Sequence, residues 1–273
     1  MRVLAAALLV LGLTACTSGA EPSSSPSPTA SASTTAPPPP RATPAPVPAT
    51  KACHALSYDE AVAPTASGSA VPCAKKHTSV TYAVGQLDTL VDGHLVAVDS
   101  DRVQQQVASE CPSRFGLFVG GSLDDRRLSM LRPVWFTPTV EESDAGASWF
   151  RCDVVALAAD GELAPLSGPM ADVLSTSEGR DRYGMCGTAS PGTADFARVI
   201  CSAEHSWRAI AVVPLGDGAY PGKEKVRAAG QSRCRDAAAA VAPDTLDYQW
   251  GYEWPTAEQW KAGQTFGRCW APD

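Results

Sequence analysis

Past its first 13 residues the chain has no apolar stretch approaching the roughly 20 residues that a membrane-spanning helix needs. It also lacks basic clusters. None of its 22 Lys and Arg residues forms a run longer than a pair, and the formal charge is −7, which excludes a groove built to meet nucleic-acid phosphates. Signatures of common catalysis are missing as well. There is no Gly-x-Ser-x-Gly, no His-Glu-x-x-His, no phosphate-binding loop and no Ser-x-x-Lys with its supporting elements. No cofactor is therefore expected. The excesses are cysteine and proline, nine and 23 in 273 residues. Nine cysteines are too many for an ordinary cytosolic enzyme, so they point to an oxidising compartment or to metal sites.

The start reads as an export address. Met1-Arg2-Val3 supplies a positive end and Leu4 to Leu13 an apolar core of secretory length, too short to span a bilayer. Leu13-Thr14-Ala15-Cys16 resembles the bacterial lipobox, and the resemblance implies a diacylglyceryl thioether on Cys16 with cleavage after Ala15. A plain secretory signal with an incidental cysteine is the alternative. Two acyl chains anchor stably because each buried methylene contributes about 0.8 kcal/mol, whereas one chain is marginal. The expected location is the outer face of the plasma membrane, lipid-anchored. Residues 1–15 are thus read as the signal and 16–50 as a tether, since 30 of those 35 residues are Pro, Ser, Thr or Ala. Such a stretch buries too little apolar surface to offset chain entropy.

The other eight cysteines fall into two sets, Cys53, Cys73, Cys111 and Cys152, then Cys186, Cys201, Cys234 and Cys269. Their successive intervals are 20, 38 and 41 residues in the first set and 15, 33 and 35 in the second. Val71-Pro72-Cys73 followed by His77 faces Val199-Ile200-Cys201 followed by His205, so Cys-x-x-x-His occurs twice. The block from Pro138 to Cys152 aligns without a gap on Pro255 to Cys269 and shares seven residues with it. We read two homologous domains packed together, 51–170 and 171–273.

Local signals set the fold class. Thr139 with Glu142, and Thr256 with Gln259, match the capping box, and Gly146 and Gly263 suit the left-handed residue that closes a short helix. Val103, Val107 and Cys111 recur at four-residue steps, as do Val226, Gly230 and Cys234, and predict a longer helix in each copy. Segments 78–87, 128–136, 149–157 and 206–215 are β-branched and aromatic and read as strands, with Ala159-Asp160-Gly161 a hairpin turn. The expected class is α+β: two disulfide-stapled domains, each a small antiparallel sheet with one longer and one short helix.

Four cysteines per copy fit two bridges, of which three pairings exist. We prefer first with second and third with fourth, each bridge contributing about 2–4 kcal/mol to a small exported domain. Zinc on the repeated Cys-x-x-x-His is the rival, but no Cys-x-x-Cys knuckle accompanies it, and no metal is assigned. His77 and His205 are candidate binding residues because they repeat; a histidine bonding the backbone at a turn is the plainer reading. His54 and His94 have no counterpart and are placed on the surface by default. Glu141 and Glu258, acids shared in register by the two aligned blocks, lie in first helical turns where a carboxylate favours the dipole, so stability accounts for them without catalysis.

The series of an early Cys, Val-x-Cys-x-x-x-His, a helical Cys, and an aromatic-x-Pro-Thr block leading through Gly to a last Cys resembles the septum-formation-related domain of actinobacterial envelope proteins. The resemblance covers about Lys51 to Asp273. It implies an exported or membrane-attached envelope protein associated with division septa, with no catalytic residues to carry over. The second copy is the closer match through Trp254-Pro255-Thr256 and Trp260; the first has Ser143 where Trp260 stands. Trp254 and Trp260 join the candidate binding residues.

The reading that follows is a lipid-anchored, non-enzymatic envelope protein, a binding or scaffold module for septum formation or wall processes. Its expected partners are the membrane through Cys16, envelope or division proteins, or wall polymer. Two rivals are a hydrolase or transferase with a tryptophan-lined site between the copies, and a small-ligand or metal carrier using His77 and His205. The thiol state tests the framework: mass analysis of the exported protein should show eight hydrogens fewer than the reduced chain, and a free thiol at Cys73 or Cys201 would overturn it.

Overall fold

The computed structural model describes residues 44–65 and 68–273. The signal at 1–15, Cys16 and most of the tether lie outside the described residues. Residues 44–50, assigned to the tether, form no helix or strand, and Pro44 lies beside Gly146. The described residues belong to a single compact unit.

The first half runs β1 (Cys53–His54), α1 (Tyr58–Val62), β2 (Ser79–Gln86), a small hairpin of β3 (Leu90–Val91) and β4 (His94–Leu95), α2 (Asp101–Val119), α3 (Leu123–Arg127), β5 (Leu131–Phe136), α4 (Val140–Asp144), β6 (Trp149–Ala159) and β7 (Glu162–Ala164). A 3-10 turn at Val173–Ser175 and α5 (Ser177–Tyr183) lead to β8 (Met185–Gly187), β9 (Arg198–Ile200) and β10 (Trp207–Pro214). Then come α6 (Lys223–Ala229), α7 (Gln231–Val241), β11 (Gly251–Glu253), α8 (Ala257–Lys261) and β12 (Phe266–Pro272).

The strands make two five-stranded antiparallel sheets, β1-β2-β6-β5 with β7 also on β6, and β11-β12-β10-β8-β9. Their registers correspond. Cys152 sits between Ala83 and Trp135, just past a bulge in β2; Cys269 sits between Ala211 and Tyr252, just past a bulge in β10. Cys53 pairs with Val80 on one side and Val71 on the other, and Cys186 with Arg208 and Val199. Disulfides join Cys53 to Cys73, Cys111 to Cys152, Cys186 to Cys201 and Cys234 to Cys269. In each half, therefore, one bridge ties a short strand, β1 or β8, to a nearby turn and the other ties a helix to an inner strand.

Alternation along β6 explains its burial. Phe150 and Cys152 face α2 and pack with Val103, Val107 and Cys111, while Val155 faces the opposite way onto Leu56 and Ala61. A strand covered on both faces reads as a near-continuous apolar run, and Trp149 to Ala156 are all buried. Pro133 is tolerated in β5 because that strand is an edge and needs no outward donor. The short helices α4 and α8 start at Thr139 and Thr256 with complete capping boxes and are followed by Gly146 and Gly263 at φ 98° and 93°.

Two helices depart from the sequence expectation. α2 continues beyond Cys111 through Pro112 to Val119, because Phe115 and Val119 extend the same buried face into a second cluster. The helix expected around Gly230 is instead broken there into α6 and α7. A Cβ on Gly230 would lie 2.2 Å from the Tyr252 ring, whose hydroxyl donates to Val226 O at 3.0 Å.

The largest core belongs to both halves. It combines Phe115, Val119, Leu131 and Val154 with Tyr183, Met185, Ile200, Trp207 and Trp270. Backbone bonds cross as well, Met130 N to Tyr183 O and Met185 N to Leu128 O, each 2.7 Å. Within the first sheet Gly85 pairs with Phe150, and a Cβ there would meet the ring at 2.2 Å. Gly85→Ala should therefore destabilise the fold by about 1–3 kcal/mol through overpacking, read as a lower urea midpoint at unchanged slope.

Candidate functional site

His77 closes the turn after Cys73. Lys75 N donates to Pro72 O at 2.8 Å, the His77 Nδ1 donates to Lys75 O at 2.8 Å, and Leu166 N donates to His77 O at 2.9 Å. The last bond draws the segment after β7 alongside the turn. Between them opens a cleft of about 810 Å³. Phe118, Leu166 and Met170 supply apolar wall, Lys51, Lys75 and Lys76 the rim, and among the described residues no carboxylate lines it. Its far wall is set by α2: Asp172 N donates to Phe118 O at 2.7 Å, and Gly121 N to Ser175 Oγ at 3.1 Å.

His205 repeats the backbone contact, its Nδ1 lying 2.7 Å from Ala203 O. Its Nε2 is 3.0 Å from an Asp273 carboxylate that also accepts from Arg208 Nε at 2.7 Å. Partial burial pushes the Asp273 pKa up, but the bonds from Arg208 and His205 outweigh it and hold the carboxyl below its ordinary range. Among the described residues Cys186, His205 and Asp273 are the group of three with metal-donor atoms close together, yet the Cys186 sulfur is bonded to Cys201. His77 lines the 810 Å³ cleft and His205 does not, so the structure gives no common site to the two histidines.

Trp260 is buried, its Nε1 donating to Gly218 O at 2.7 Å and its ring meeting Tyr220 edge-on. Trp254 lies half-buried against Tyr252, with Arg227 5.8 Å from its ring centre. Both serve packing of the second half. A cleft of about 500 Å³ does open between the sheets, but no tryptophan lines it. It is an arginine site: Arg198 and Arg268 flank Glu253, Arg198 Nε donating to it at 3.3 Å, while Arg132 Nη1 donates to the carbonyls of Ser129 and Leu131. Burial and the Arg198 charge push Arg132 down to about 10; burial, eased by Glu253 and deepened by the neighbouring arginines, does the same to Arg268. Both remain cations at neutral pH.

A family model described as septum formation matches residues 50–269. The chain belongs to the septum-formation family. No curated protein and no solved structure matches it. Membership assigns this septum-formation chain a septum-related role in the cell envelope. Four disulfides fit the extracytoplasmic side.

One constellation in the septum-formation chain has the residue types of an acyl-transfer triad but not its arrangement. His54, expected at the surface, is buried where β1 pairs with β2 and sets it beside Thr81; His94 is exposed on β4 as expected. Ser79 Oγ donates to Asp153 at 2.6 Å, and His54 Nε2 lies 3.4 Å from Thr81 Oγ1 rather than against the serine. Arg151 pairs with Asp153 at 3.0 Å and lies 4.5 Å from the Phe136 ring centre. Ser79, Thr81 and Asp153 have no solvent exposure, so the group cannot take a substrate.

Burial and then the Arg151 charge hold the His54 pKa below its ordinary 6.5, with Asp153 opposing. Below 6.5 the unfolded chain binds a proton that the folded chain refuses, so stability present above that value drains away as the pH falls toward the lowered one. Asp273, held low, loses its contribution only below its ordinary 3.8. Between about pH 7 and pH 5 the wild-type urea midpoint should fall, and His54→Asn should flatten that slope, by at most about 1.4 kcal/mol per pH unit.

Proposed function

We propose that this is a lipid-anchored, non-enzymatic binding module of the cell envelope that works in septum formation, held to the membrane by lipid on Cys16 and spaced from it by the tether. The family match carries the reading: it begins at residue 50, where the Pro/Ser/Thr/Ala-rich segment ends, and spans both cysteine sets. The corresponding strand orders and cysteine positions support two homologous copies, 51–170 and 171–273, that have lost independence by sharing a core. Binding rather than catalysis is supported by the sealed Ser79–Asp153 contact and by Glu253, engaged by two arginines in the inter-sheet cleft. Glu141 and Glu258 sit in capped first turns, and the hydrogen bonds there hold both carboxyls below their ordinary range.

Imaging a fluorescent fusion in dividing cells, with membrane fractionation, tests the proposal. The wild-type protein should concentrate at septa and sediment with membranes, and Cys16→Ala should leave the membrane fraction. A diffuse wild-type distribution removes the septal role; a Cys16→Ala variant that still sediments removes the lipid anchor.

A further inference from the structure

We infer that the 810 Å³ cleft beside His77 binds a lipid phosphate, its acyl chain against the apolar wall and its head group among the lysines of the rim. The volume falls within the roughly 300–1,000 Å³ of small-molecule sites. An apolar wall takes hydrocarbon. The wall is built to stay open: Met170 and Leu166 are buried, and Phe118 is held by a 5.4 Å stack on Tyr82, whose hydroxyl bonds to Cys111 O.

The rim selects the head group. Lys51, Lys75 and Lys76 are all exposed, and none is in an ion pair among the described residues, so three cations face the cleft mouth without a counter-charge. Each is also fixed at its backbone. Lys51 stands at φ 63°, a left-handed conformation that costs a side-chain-bearing residue energy, and the bonds Lys51 N to Thr81 O and Thr81 N to Ala52 O hold it there. Lys75 and Lys76 ride on the turn that the Cys53–Cys73 disulfide ties to β1. A phosphate bearing up to two negative charges matches three ammonium groups better than a neutral or cationic head does. Lys51 also follows the tether directly in sequence, so under the proposed anchoring the chain coming from the membrane enters the fold at the rim of the cleft; the choice of a membrane lipid rests on that reading.

The test uses the full mature chain carrying Cys16→Ala, which removes the anchor and leaves the described residues unchanged. Titration calorimetry with octyl, decyl and dodecyl phosphate below their micelle concentrations should show one site per chain, with affinity rising about three- to fourfold per methylene until the cleft is filled. Dodecyltrimethylammonium should bind at least tenfold more weakly than dodecyl phosphate. Lys51→Gln, Lys75→Gln and Lys76→Gln combined should cost dodecyl phosphate at least tenfold at an unchanged melting temperature, and added salt should reproduce part of that loss. Met170→Asp should abolish the chain-length dependence, and a melting curve shows whether that variant is folded. Equal binding of cationic and phosphate heads, inorganic phosphate binding as tightly as dodecyl phosphate, or no binding at all would each overturn the inference. Cell imaging tests the anchor independently, so a diffuse or unanchored protein that still binds alkyl phosphates leaves this site standing.

Discussion

The bond between Cys111 and Cys152 fixes α2 across the middle of β6, the longest strand, and the bond between Cys234 and Cys269 fixes α7 across β12 in the same way. Much of the molecule follows from these two ties. With a helix clamped on one face, each central strand must find cover for the other, because a half-exposed apolar strand in a domain this small leaves too little buried surface. β6 is covered by the segment that includes α1. β12 is covered by the first half of the chain. Two sheets of similar strand order are therefore completed in two different ways.

The difference is written in corresponding residues. Asp153 pairs with Thr81 just before the bulge in β2, and Trp270 pairs with Ala209 just before the bulge in β10. Where α1 and its neighbours cover the sheet, a carboxylate survives because Ser79 donates to one oxygen and the Arg151 charge lies 3.0 Å from the other. Where the other half covers it, the position holds an indole packed edge-on against Phe196 in the shared core. His54 and Ser79 in the first sheet likewise correspond to Gly187 and Trp207 in the second. The position is polar where a local cap covers the sheet and apolar at the junction, which is what a lasting interface between halves requires.

The same asymmetry separates the two clefts. The turn at His77 faces the segment after β7 and leaves a lysine-rimmed apolar hollow, while the turn at His205 is closed by Asp273 and Arg208. In the cleft between the sheets the arginines already hold a carboxylate of their own in Glu253. Of the two, only the first offers cations with no internal partner among the described residues.

The longer strands, the helix carrying Cys111 and the short helices α4 and α8 were legible from residue patterns because their causes are local: capping boxes at Thr139 and Thr256, glycines closing short helices and four-step apolar faces. The break at Gly230 was not, since it is imposed by the Tyr252 ring from a strand some 20 residues later. His54 could not be placed inside from its own neighbourhood either, because what buries it is the pairing of β1 with β2. The lysine-rimmed cleft had only His77 as a signal, its walls coming from residues near 51, 75, 118 and 170. By itself the sequence determined the strand segments at 78–87, 128–136, 149–157 and 206–215, the two short helices capped by Thr139 and Thr256 and the division of the cysteines into two sets of four, all of which depend on interactions a few residues apart or on spacing. Which face of each sheet was sealed, and where a hollow remained, was decided only in the folded chain, because burial is a property of what lands on a surface and not of the residues that make it.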